Sequence, residues 1–193
     1  GHMAEQKKGG VIWDGLKTKP EDAAQYGASK NIANTAMIYH AGKFLALQEG
    51  AHPFELKLPN LDPVGEVDYE GRLKHPFTAH PKIDPRTGEL VTYGYNVTSK
   101  PYCSVSLITK AGELIHTTDV DIPKPVMMHD CAITSKHTVI MDLPCVFDFG
   151  RMAEGKSMLY FEEENGSRFG VLARGAEGDE VRWFDVDSCY CYH

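Results

Sequence analysis

Imidazole is the functional group this sequence uses in excess. The 193-residue chain carries nine histidines, and three have unusual surroundings. His80 lies in Phe-Thr-Ala-His-Pro at 77–81, His129 in Val-Met-Met-His-Asp at 126–130 and His193 in Cys-Tyr-Cys-Tyr-His at 189–193. Each apolar string sits beside a bend. An imidazole among Met, Phe, Ala and Tyr is costly to bury unless it is hydrogen-bonded or ligates a metal. Separations of 49 and 64 residues do not match the helical zinc motif, in which two histidines stand one turn apart. They suit one ligand from each of several successive units converging on a common point. Neutral imidazoles with no thiolate or carboxylate among them suit iron, copper or zinc.

The remaining histidines carry ordinary structural roles. His40 and His52 sit at hairpin bends, His116 and His137 in alternating strands, and His75 precedes Pro76. His2 belongs to Gly1-His2-Met3, which reads as the remnant of a removed affinity tag and stands outside the fold. Cys189, Cys191 and His193 share a strand face by their spacing of two. Alternate residues on a strand lie about 7 Å apart, however, and cannot readily close around one ion. Asn96-Val97-Thr98 and Asn165-Gly166-Ser167 match the glycosylation pattern only incidentally. The sequence has no nucleophile elbow, phosphate-binding glycine loop or carboxylate-pair motif.

The elements that must position these histidines are strands. From Ala33 onward, short apolar or alternating runs rich in Val, Ile, Tyr, Phe and Thr are separated by Gly, Pro, Asn and Asp, which predicts at least ten strands. Hairpin signals fall at 40–43, 84–88, 110–113 and at Asn165-Gly166, between Tyr160-Phe161 and 169–172. Three turn-strand units read alike, at 41–47, 87–93 and 111–117. Gly42 and Gly88 are 46 residues apart, the length of a four-stranded propeller blade, while Gly112 follows after only 24. A coarser unit recurs at 77–84, 126–133 and 188–193, where a bend accompanies an apolar strand bearing one histidine. An all-β fold follows, either two to three blades of a larger β-propeller or a single β-sandwich. Residues 4–30 read as a loosely ordered leading segment with one short helix starting at Pro20. The last residues fall inside an alternating strand-like stretch, as expected for a piece of a longer protein.

Composition removes several classes of function. A net charge of −7 with no basic cluster beyond Lys7-Lys8 excludes a nucleic-acid partner, because phosphate binding needs concentrated positive charge. No apolar run approaches the roughly 18 residues of a bilayer span, and no signal peptide is recognisable. Five scattered cysteines form no disulfide framework and point to a reducing, intracellular compartment.

Five strings in one order, at 34–40, 74–84, 125–130, 168–172 and 182–193, resemble the carotenoid cleavage oxygenase family, closest to its plant-type carotenoid and epoxycarotenoid dioxygenases. The resemblance covers residues 31–193 and implies part of a seven-bladed β-propeller. In this family four histidines hold an axial Fe(II), and O₂ splits a conjugated double bond of an apolar polyene into two carbonyl products. Carried over by motif, the first three ligands fall on His80, His129 and His193, and the fourth has no counterpart in this chain. Family glutamates accept hydrogen bonds from ligand imidazoles other than the first, and Glu49 matches the first of these glutamates. Asp130 reads as structural. The expected protein is an iron oxygenase of the cytoplasm or plastid that contacts a membrane peripherally. The alternative is a catalytically silent propeller fragment or binding module, whose unpaired sheets would favour self-association or pairing with missing blades.

Overall fold

In the computed structural model, which describes residues 32–193, a four-stranded antiparallel sheet forms three times in succession. The first sheet holds β1 (Ala36–His40), β2 (Lys43–Leu47), β3 (Phe54–Lys57) and β4 (Asp62–Glu66), in sequence order. The second holds β5 (Lys82–Ile83), β6 (Leu90–Tyr95), β7 (Cys103–Ile108) and β8 (Leu114–Val120), likewise in order. The third opens with β9 (Ala132–Ile133) and β10 (His137–Asp142), then detours through a separate pair, β11 (Cys145–Phe147) and β12 (Leu159–Phe161). It closes with β13 (Ser167–Ala173) and β14 (Arg182–Val186), in the order β9-β10-β13-β14. These are three blades of a partial β-propeller, and Ala33–His193 forms one compact unit. The predicted leading segment at 4–30, the helix at Pro20 and the tag remnant at 1–3 lie outside the described residues.

Turn chemistry explains the repeat. Ala41 and Gly42, with φ of 51° and 81°, close the β1–β2 hairpin in the left-handed conformation that two-residue hairpins require. Gly88 lies in the β5–β6 turn, so the 46-residue step from Gly42 runs from blade to blade. Gly112 lies in the β7–β8 turn, and its shorter step falls within one blade. The corresponding turn of the third sheet, Thr134 to Lys136, contains no glycine, which hid it from the pattern.

Two expectations are corrected. Asn165-Gly166 does not join Tyr160-Phe161 to its neighbour as a hairpin. β12 pairs with β11, and β13 is claimed along its length by β10 and β14. Residues 188–193 form no strand, because their alternating pattern finds no ladder partner among the described residues.

The middle sheet is packed on both faces, and the two-residue period of a strand divides its side chains. Val91, Tyr93, Cys103 and Val105 meet Ile140 and Leu172 of the third sheet, together with Val126 and Met128. Leu90, Ile108 and Leu114 meet Leu45, Leu47 and Phe77 on the side of the first sheet. Each fully buried aliphatic or aromatic side chain contributes roughly 1.5–3 kcal/mol. Phe77 and Met128 thereby anchor the two loops that carry His80 and His129. Gly94 in β6 admits the first of these loops. A Cβ there would stand 1.9 Å from the Pro76 carbonyl oxygen and 2.6 Å from His75 Nδ1.

A buried ion pair ties the second and third sheets together. Arg174 donates from Nη1 to Asp84 Oδ2 at 2.8 Å and from Nη2 to the Thr134 carbonyl, joining the β5–β6 turn to the β9–β10 turn. The backbone N–H of Arg86, then its guanidinium, and also Arg174, hold the Asp84 carboxyl well below the usual carboxylate range. A carboxyl depressed in the folded state stabilises above its unfolded pKa of about 3.9 and loses that contribution as pH falls below it. Arg174→Met is expected to lower the unfolding midpoint at pH 7. The gap from wild type should narrow below about pH 4 as the unfolded-state carboxyl becomes protonated, a trend that denaturant titrations across pH would reveal.

Candidate metal centre

Each of the three apolar-flanked histidines follows the last strand of one sheet. His80 stands in the connection from β4 to β5, His129 in that from β8 to β9, and His193 beyond β14. Such connections carry the chain from the outer edge of one blade back to the inner edge of the next. The first is held by the Thr78 N–H, which donates to the Tyr93 carbonyl at 2.8 Å, and by the His80 N–H, which donates to Thr78 Oγ1 at 3.0 Å. In the second, Met127 N donates to the Cys145 carbonyl at 2.8 Å and the Tyr93 hydroxyl donates to the Met128 carbonyl at 2.5 Å. The last stretch is fastened by Ser167, whose hydroxyl donates to the Cys189 carbonyl at 3.1 Å and accepts from the Cys189 N–H at 2.9 Å.

The three rings meet. His80 Nε2 and His129 Nε2 are 3.2 Å apart, ring centroids lie 4.6, 4.7 and 5.0 Å from one another, and one ligand atom from each ring falls within 4.8 Å of the others. His129 Nδ1 faces Glu49 Oε1 in close contact, and His193 Nδ1 faces Asp130 Oδ2 at 3.0 Å. Neutral imidazole carries its lone pair on the nitrogen opposite its N–H, so these carboxylates assign the lone pair of both rings to Nε2. Burial, then the neighbouring His129, lowers the pKa of His80 and keeps that ring neutral near pH 7. The donor set therefore fits a divalent transition metal. Nitrogens 3.2 Å apart can share one ion at imidazole bond lengths of about 2.1 Å, and an imidazole-only set suits iron, copper or zinc.

Nearby groups do not compete for the ion. Burial pushes the Cys131 thiol up to about 12, so it stays protonated two residues from His129. Cys191 Sγ donates to the His193 carbonyl at 3.0 Å, and neither Cys189 nor Cys191 joins the cluster. Burial works to raise the Asp130 carboxyl. Lys82 at 2.6 Å, His193 and the Cys131 N–H outweigh it and hold the carboxyl low and ionised. Among the described residues the other histidines do not join the cluster. His40 bonds the Gly88 carbonyl at 3.0 Å, His116 the Ala176 carbonyl at 3.1 Å, and buried His75 bridges the Pro76 carbonyl and Ser106 Oγ.

Two residues at the cluster were not assigned to it from the sequence. Asp130, read there as structural, faces His193 Nδ1. Tyr95 donates to Glu49 Oε2 at 2.5 Å. The one sequence signal for Tyr95 was its spacing of two from Tyr93, which places both phenols on one face of β6.

Sheets of this kind, with a histidine cluster where their connecting loops meet, define a β-propeller built around a polar axial point. The chain belongs to the retinal pigment epithelial membrane protein family, whose profile matches residues 1–193. It is 44% identical over 166 residues to the carotenoid 9,10(9',10')-cleavage dioxygenase 1 of Arabidopsis thaliana, covering 83% of this chain and 31% of that protein. It is 32% identical over 176 residues to the isoeugenol monooxygenase of Pseudomonas putida, covering 90% of this chain and 37% of that protein. The crystal structure of Pseudomonas brassicacearum lignostilbene dioxygenase superimposes with a TM-score of 0.78 at 30% identity, covering 95% of this chain and 38% of that one. The chain thus spans about a third of the length of these relatives.

Ser167 is the fastening that holds the His193 stretch, which makes it a test of how the site is assembled. Ser167→Ala removes both bonds to Cys189. Amide exchange at Cys189 is expected to rise about 5-fold in hydrogen-exchange mass spectrometry, the equivalent of the ~1 kcal/mol typical of one hydrogen bond, with little change at β6.

Proposed function

We propose that the protein is a non-heme Fe(II) oxygenase that uses O₂ to cleave a conjugated C=C bond of a carotenoid or apocarotenoid into two carbonyl products. His80, His129 and His193 are the ligands this chain supplies. The observation that carries this reading is the convergence of three imidazoles, from two inter-blade loops and the stretch after β14, two of them with Nδ1 on a carboxylate, in a chain 44% identical to a named carotenoid cleavage dioxygenase.

Bound iron supplies the redox chemistry that spin-paired side chains lack, activating O₂ toward an alkene. Everything else is positioning. Glu49 takes the Nδ1–H of His129, fixing the ring plane and raising the basicity of Nε2. Neutral imidazoles leave the ion's charge uncompensated, and the Tyr192 ring packs against His129 in a T-shaped contact with centroids 4.7 Å apart. Phe77 and Met128 are buried in the core and act by anchoring their loops.

An apolar polyene must be drawn from a bilayer, and the exposed Phe149, Met152 and Phe161 on the β11–β12 detour support peripheral membrane contact. Among the described residues no helix is long and apolar enough to cross a membrane. Five unpaired cysteines favour the cytoplasm or plastid. Exposed Met37 and Tyr39 on β1, and Phe184 and Val186 on β14, are sheet surfaces that further blades or a second copy would cover.

Glu49→Gln in the intact protein is expected to weaken Fe(II) binding by about 10- to 100-fold, as losses of such supporting bonds commonly do, with a parallel fall in O₂-dependent cleavage of a carotenoid. Unchanged iron occupancy and rate would remove Glu49 from the site. For the isolated 193-residue chain, weak Fe(II) binding and no cleavage are expected, because the His193 side chain is 58% exposed and ordering it subtracts from affinity. Stoichiometric iron with turnover in that preparation would contradict this. Carotenoid, apocarotenoid and stilbene-type alkenes offered in parallel would identify the substrate class.

A further inference from the structure

β6 hydrogen-bonds to the loops that carry His80 and His129, and it does so through one residue, Tyr93. The carbonyl of Tyr93 accepts from Thr78 N in the His80 loop, and the Tyr93 hydroxyl donates to the Met128 carbonyl beside His129. Two residues further, on the same face, the Tyr95 hydroxyl reaches Glu49 Oε2 at 2.5 Å. The other oxygen of that carboxylate, Oε1, faces His129 Nδ1. Both of these atoms are shielded from solvent, and among the described residues their approach to each other is the contact that compensates their burial.

We propose that Tyr95 is a positioning residue of the metal centre, acting through Glu49 to fix the orientation of His129. The inference rests on the metal-site reading above. A glutamate has three rotatable side-chain bonds, and a carboxylate held by one oxygen swings about that contact. A second donor on the opposite oxygen removes this freedom. Tyr95 is well suited to be that donor. Its ring stacks on Phe147 with centroids 6.4 Å apart, and burial, followed by the Glu49 charge, pushes its pKa up so that the phenol keeps its proton. Without the hydroxyl, Oε2 loses its donor, and the carboxylate gains an alternative orientation in which His129 Nδ1 is left unpaired. Ring plane and Nε2 direction then become variable.

The test is a double-mutant cycle in the intact protein, with Tyr95→Phe, Glu49→Gln and both together, read as anaerobic Fe(II) affinity by chelator competition alongside the thermal midpoint. Tyr95→Phe keeps the ring and its stacking. It is expected to weaken Fe(II) binding about 5- to 10-fold, a smaller loss than that of the carboxylate it supports, and to add nothing in the Glu49→Gln background. Wild-type affinity in Tyr95→Phe would overturn the inference. So would an equal loss in both backgrounds, or a variant that does not fold, since either makes Tyr95 a general structural residue. Failure of the metal-site reading is distinguishable, because then the wild-type protein itself binds no Fe(II) and His80→Ala changes nothing, and the inference falls with it.

Discussion

A neutral imidazole has one proton and one lone pair, and whichever group takes the proton decides where the lone pair points. The whole centre depends on that constraint. Glu49 faces Nδ1 of His129 and Asp130 faces Nδ1 of His193, an arrangement that leaves Nε2 of each ring as the nitrogen free to carry the lone pair. Neither carboxylate would serve if left in water, where it would rotate and exchange partners. Glu49 is held by Tyr95, while Asp130 is held by Lys82 and the Cys131 N–H.

The fold makes such holding possible because β6, in the middle sheet, is buried on both faces. It lies between the first and third sheets and has no solvent face to satisfy. Its backbone and phenols are therefore free to fasten the loops above it. Tyr93 illustrates the economy of this arrangement, since its carbonyl secures the His80 loop and its hydroxyl the His129 loop. Hydrophobic anchors close to each histidine, Phe77 and Met128, complete the support by burial. The stretch from 187 to His193 has no buried residue, is fastened by Ser167 and by the Asp130 contact, and leaves His193 the most exposed of the three.

Much of this was legible in the residues themselves. Strand texture and turn glycines identified an all-β chain, and the 46-residue interval between Gly42 and Gly88 proved to be the blade period. The same signal failed at Thr134, where a turn of the same role contains no glycine, and misled at Asn165-Gly166. Turn chemistry reports the local backbone. It does not report which strand a neighbour will pair with, and here β12 found β11 through a detour of the third sheet. Residues 188–193 fail for the related reason that alternation makes a strand only beside a partner.

The sequence by itself determined which side chains could hold a metal. His80, His129 and His193 were marked by apolar neighbours that make an unpaired imidazole costly, and Glu49 by its place in a family motif. Only the tertiary structure decided how they are held. Tyr95 is 46 residues from Glu49, and Asp130 is 63 from His193, and hydrogen bonds across such separations have no periodicity for a pattern to detect. They depend on the register of β6 against its neighbours and on burial that excludes competing water. Both are properties of the packed sheets, absent from any single stretch of chain.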